Sequence, residues 1–152
     1  MSILHFRAET DYGIRTMLYL ALNCNAGFIS SAKIAEDMSI PPKVLPRVLV
    51  RLSHSGLVQS KVGITGGHQL SRPRDSITLL EIVQCMEDRL TLSRHRQAIS
   101  PIATALLAKT DDCLFVLDAA LKHAMALYTL QDLVDPAPQT EIPRYFYISN
   151  AC

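Results

Sequence analysis

The chain has 152 residues, 49% hydrophobic and 19% charged, with a formal net charge of +1. That balance sustains a buried core in one domain, or in a small domain with an added arm, and excludes an intrinsically disordered chain. No apolar run approaches the roughly 20 residues that cross a bilayer, and the N-terminal MSILHFRAETDYG lacks the basic stretch and apolar core of a signal peptide. The scattered Cys24, Cys85, Cys113 and Cys152 point away from a disulfide framework or zinc finger and toward a reducing cytoplasm.

In chain order, residues 11–22 predict a helix. Tyr12, Ile14, Met17, Leu18, Ala21 and Leu22 recur at helical spacing, Thr10 or Asp11 offers a cap, and Asn25-Ala26-Gly27 ends it. Residues 30–38 predict a short second helix capped by Ser30, with Ile34, Ala35 and Met38 inward. Ser39-Ile40-Pro41-Pro42 must break it, because proline lacks an amide hydrogen and restricts the residue before it. A third helix, about residues 43–54, buries Val44, Val48, Leu49 and Leu52 and closes at Gly56. Pro46 fits only its first turn, so this helix starts late, near Pro42 or Lys43. Short helix, tight turn and second helix form a helix-turn-helix pattern.

After Gly56 the period changes to two. Residues 57–62 alternate like a strand, the glycines of 63–67 permit a turn, and residues 68–71 run back, which is a β-hairpin wing. Thr78 and Glu81 have capping-box spacing and open a helix to about Glu87. Ser100-Pro101 is a break, and residues 103–108 form a helical turn or more. A long helix then runs from Asp111 or Asp112 to about Leu130. Leu114, Leu117, Leu121, Ala124 and Tyr128 recur along it at the spacing of a packed seam, over about 30 Å. Asp135-Pro136-Ala137-Pro138 ends regular structure before an apolar tail.

The expected fold is mainly α with a small β-hairpin: a winged helix-turn-helix head at 1–77, a linker helix, sensor loop and long dimerisation helix at 78–135, and a tail at 136–152. Such a head places its second helix in the major groove, where base edges are distinguishable. The charge map agrees. Residues 1–77 hold nine Lys/Arg against five Asp/Glu, and residues 38–74 hold six Lys/Arg and no acid. Lys43, Arg47 and Arg51, at i, i+4 and i+8, are the candidate reading residues. Ser31, Lys33 and the first-turn amides of the second helix would meet phosphate, Ser39 would set the entry of the reading helix, and Lys61, Thr65 and His68 would act from the wing.

Several motifs in order resemble a known family. They are Thr10-Asp11-Tyr12-Gly13-Ile14-Arg15 with Met17-Leu18-Tyr19-Leu20-Ala21, Leu52-Ser53-His54-Ser55-Gly56-Leu57-Val58, the Gly63/Gly66-Gly67 wing, Ile77-Thr78-Leu79-Leu80-Glu81-Ile82 and Tyr128-Thr129-Leu130-Gln131-Asp132-Leu133. Over about residues 5–135 the chain resembles the Rrf-type winged helix-turn-helix transcription regulators, the family of NsrR and IscR, with motifs nearest to the nitric-oxide-sensing repressor NsrR. The resemblance implies a homodimeric repressor on a partly palindromic double-stranded operator, responsive to redox state, nitric oxide or metal. It also implies an iron–sulfur cluster held by three cysteines, completed in NsrR by an aspartate of the other subunit.

Asp11 matches that aspartate and Cys113 the last cysteine. His95 and Ser100 stand near the places of the two missing cysteines, so the ligand set is incomplete. Asp11, His95 and Cys113 remain a candidate set for zinc or another iron centre. Cys113 is alternatively a redox-sensing thiol or plain core filling. A cluster-free regulator answering a small molecule or a partner protein stands beside the cluster-bearing form. A winged-helix module that contacts only proteins is a further alternative, against which the acid-free segment weighs. No Gly-x-Ser-x-Gly elbow, His-Glu-x-x-His, phosphate loop or dinucleotide fingerprint is present, so no catalytic residue is assigned and no enzyme is expected.

Overall fold

A computed structural model describes residues 6–88, 90 and 101–135. His95 and the 136–152 tail lie outside the described residues. The element order is α1 (Ala8–Leu22), α2 (Ser31–Asp37), α3 (Leu45–His54), β1 (Val58–Lys61), β2 (Gly67–Leu70), a 3-10 turn at Arg74–Ser76, α4 (Leu79–Met86), α5 (Pro101–Ala126) and α6 (Leu130–Val134).

Helix α1 is the central rod. Its Met17, Leu20 and Ala21 are buried among Ile34, Leu45, Val48, Leu52, Ile77, Ile82, Met86 and Leu130. One cluster therefore takes residues from both sides of position 77, because α4 and α6 pack on α1 as α3 does. At the α1–α4 crossing Gly13 lies so close that a Cβ on it would sit 2.7 Å from Met86 Cγ.

The start of α1 differs from expectation. It begins at Ala8, with Arg7 at the cap position but no side-chain bond to the amides of the first turn. Thr10 is buried inside the helix, where its hydroxyl donates to Glu87 Oε1 at 2.5 Å. Asp11 pairs with Arg15 at 2.6 Å. The oxygens expected to cap the helix are engaged elsewhere, and acidic Glu9 and Asp11 in the first turn still complement the helix dipole.

Ser30 caps α2 as expected, accepting from Lys33 N. Ser39 then takes a left-handed φ of 53°, and Pro41 O accepts from Val44 N and Leu45 N. Helix α3 begins at Leu45, later than Lys43, with Pro46 in its first turn, where a missing amide hydrogen costs no helical bond.

The hairpin pairs Val58 with Leu70 through Lys61 with Gly67, antiparallel. Ile29, just before α2, bridges to His68. That bridge needs Gly67: its φ is 149°, and a Cβ there would lie 2.5 Å from Ile29 O.

The Thr78/Glu81 capping box opens α4. A second box, Thr129/Asp132, opens the unanticipated α6. Leu79 N bonds Tyr128 O and Leu130 N bonds Ile77 O, so the chain returns from α5 into the core.

The long helix starts at Pro101 rather than at Asp111 or Asp112, because proline suits a first helical position. Its 26 residues reach about 39 Å. The expected seam divides. Leu114 and Leu121 are half-buried, on the face that holds buried Asp118 and Met125, while Leu117 and Ala124 are exposed. The exposed apolar stripe instead runs Cys113, Val116, Leu117, Ala120, Ala124 and Leu127.

Candidate nucleic-acid interface

Helix α3 buries Leu45, Val48, Leu49 and Leu52. Successive residues step by about 100°, so Arg47, Val50 and His54 point away from the core, with Pro46 and Ser53 on one flank and Arg51 on the other. The first flank borders a groove of about 390 Å³ between α3, the start of α2 and the hairpin. Ser31, Pro46, Leu49, Val50, Ser53, His54, Ser60 and His68 line it, and none is acidic. The hairpin is fastened to α3 through hydroxyls: Ser53 Oγ lies 3.0 Å from Ser60 Oγ, which lies 2.9 Å from His68 Nδ1. Burial pushes the His68 imidazole below its usual range, so the ring is neutral at pH 7.

On the side of the two arginines the character changes. Arg47 reaches Glu9 of α1 at 2.8 Å yet stays 74% exposed. Arg51, 28% exposed, donates to Cys85 O at 3.0 Å and to Asp88 at 3.1 Å. Cys85 O is one of the last carbonyls of α4, which lack helical partners. Arg7 serves the next, Met86 O, at 2.6 Å, and also bonds Glu87 and Asp88. Hydrogen bonds from Arg7 and then Arg51 hold the Asp88 carboxyl below the usual range. For Glu87, burial pushes the carboxyl up, but bonds from Thr10 and Arg7 bring it below that range on balance.

The expected site residues thus separate. Lys43 is exposed on the turn before α3 and has no ion-pair partner among the described residues. Lys61 is exposed on the hairpin, its ammonium 5.7 Å from the Phe28 ring centre. Thr65 is exposed at the hairpin tip, and Ser31 and Ser39 are exposed around α2. Lys33 pairs with Asp37 at 2.8 Å, which also accepts from the Tyr19 hydroxyl. The Lys33 bond, then the Tyr19 bond, hold Asp37 below its usual range.

The acid-free segment 38–74 is not acid-free in space. Arg47, Arg51, Arg72 and Arg74 pair with Glu9, Asp88, Glu81 and Asp135, all from outside it. Sequence reasoning passed over Val50, Ser53, His54 and Ser60; helical phase relative to the buried leucines was the signal that could have found Val50 and His54.

A family model described as an iron-dependent transcriptional regulator, Rrf2, matches residues 6–136. The chain belongs to the Rrf2 family of transcriptional regulators. Among curated relatives, this Rrf2 protein is 34% identical over 82 residues to slr0846 of Synechocystis, named as an HTH-type transcriptional regulator, covering 54% of this chain and 56% of that one. It is 31% identical over 138 residues to protein aau3 of Rhizobium meliloti, covering 86% and 85%. Among solved structures it resembles CymR, the global cysteine regulator of B. subtilis, at 25% identity and a TM-score of 0.68, covering 86% and 96%. T. potens IscR shares the fold at 22% identity and a TM-score of 0.64, covering 95% and 96%. The family, slr0846 and CymR are described as regulators, not as enzymes. Among the described residues no helix is long and apolar enough to cross a membrane.

The iron in the family description calls for soft donors brought together, usually four thiolates for a four-iron cluster. Here Cys24 is exposed just past α1, Cys85 in α4 accepts from the Ser55 hydroxyl at 3.0 Å, and Cys113 is exposed on α5. Asp11 is engaged by Arg15. Among the described residues no three His, Cys, Asp or Glu side chains gather as ligands, and residues 89–100 contain no cysteine. This donor set does not fit a four-iron cluster.

Proposed function

We propose that this Rrf2 protein is a homodimeric repressor that sets α3 into the major groove of a partly palindromic duplex, with the hairpin against the adjoining backbone. One observation carries the reading: the outward face of α3 opens to solvent beside the wing, without carboxylates in its groove, and the turn before α3 and the hairpin carry the exposed Lys43 and Lys61.

In this reading Lys43 and Lys61 meet phosphates. Ser31, Lys33 and the first amides of α2 meet the neighbouring backbone, Ser39 sets the approach of α3, and Thr65 touches sugar or phosphate from the hairpin tip. Arg47 joins by exchanging Glu9 for a phosphate, since an exposed ion pair is worth only about 0–1 kcal/mol. Arg51 remains with α4, and His68 braces the wing through Ser60. The exposed stripe of α5 supplies the subunit contact. The donor set favours the cluster-free form of the regulator.

Binding of duplex DNA at graded salt, followed by fluorescence anisotropy, tests the reading. Affinity should fall steeply and log-linearly with salt as phosphate contacts release counterions. Salt-independent binding, or none, refutes it.

A further inference from the structure

We infer that the outward face of α3 recognises thymine methyl groups, through Val50 with Pro46 beside it, rather than guanine through arginine. The inference rests on the DNA-binding reading and specifies what that face reads.

Val50 is 52% exposed in mid-helix. A β-branched side chain lowers helix propensity, so neither helix stability nor core packing asks for valine at this position. Pro46, four residues earlier, lies on the same face about 5–6 Å away and extends the apolar surface. Around this centre stand the hydroxyls of Ser31, Ser53 and Ser60 and the imidazoles of His54 and His68. Lys43 is exposed on the turn before α3 and Lys61 on the hairpin.

The matching occupant is apolar at its middle, hydrogen-bonding around it and anionic at its edge. A B-form major groove has that character where it carries thymine, whose C5-methyl is the apolar group among the base edges it presents. Guanine reading requires a bidentate Arg or Lys aimed at the base edge. Of the two arginines of α3, Arg51 is turned to the opposite flank and held by Asp88 and the end of α4, and Arg47, drawn toward Glu9, passes in the reading above to a phosphate rather than a base.

The test uses duplexes selected from a random pool by the full chain. Each thymine in turn is replaced by deoxyuridine, which removes only the methyl group. Affinities are then measured for the wild type, Val50→Ala and Val50→Thr, with circular dichroism melting as the folding control. At one or two thymines per half-site, uracil should weaken wild-type binding by about 4-fold, the size of one buried methyl. Val50→Ala should lose most of that discrimination, and Val50→Thr, which keeps one methyl, should retain part of it.

Uracil without effect at every position overturns the inference and leaves DNA binding standing. So does a Val50→Ala protein that keeps the full penalty. Failure to enrich any duplex, with no salt-sensitive binding, removes the underlying reading as well.

Discussion

Arg51 fastens α3 to the C-terminal end of α4. Its guanidinium takes the orphan carbonyl of Cys85 at 3.0 Å and the exposed Asp88 at 3.1 Å, with the side chain 28% exposed. Arg51→Ala removes the carbonyl bond and the packing of the aliphatic stem. Together these contribute about 1–2 kcal/mol, while an exposed pair adds little. Stability near 5–15 kcal/mol is typical of a domain, so the loss is readily measured. At fixed protein concentration the melting temperature should fall by about 2–8 °C. The slope of log affinity against log salt should stay within about 0.3 of wild type, because no phosphate contact is lost. An unchanged melting temperature with a salt slope shallower by about 0.9 would show that Arg51 serves DNA and that its bond to α4 is incidental.

Other residues give sharper or opposite signatures. Lys61→Ala should weaken binding equally on all duplexes and flatten the salt slope by about 0.9, read by anisotropy; equal slopes would remove Lys61 from the interface. Glu9→Gln releases Arg47 and removes a carboxylate from the path of the backbone, so affinity should rise about 2–5-fold at low salt and the gain should fade at high salt. Leu117→Glu places a charge in the exposed stripe of α5 and should shift the mass by light scattering to 16.8 kDa from twice that value; an unchanged dimer would place the contact elsewhere. Burial lowers the folded-state pKa of His68 below its unfolded value near 6.5. Its contribution to stability is therefore complete above pH 6.5 and lost as pH falls below it. His68→Asn should flatten the urea-denaturation stability profile between pH 7 and 5, above the range where Glu81 and Glu87 titrate.

The sequence by itself determined whatever depends on neighbours a few residues apart. Periodic apolar residues gave the helices, the Ser30 cap and the Thr78/Glu81 box gave two of their starts, and glycine-rich alternation gave the hairpin. The family motifs were legible for the same reason. Tertiary structure alone decided what depends on partners far along the chain. Arg51 meets Asp88 across 37 residues and Arg47 meets Glu9 across 38, so a stretch without acids gains carboxylates from elsewhere. Thr10 looked like a cap because caps are local, but Glu87, 77 residues away, takes its hydroxyl. The seam of the long helix divided because the packing of α5 on α4 chose which face to cover, and periodicity marks an apolar face without naming what it packs against.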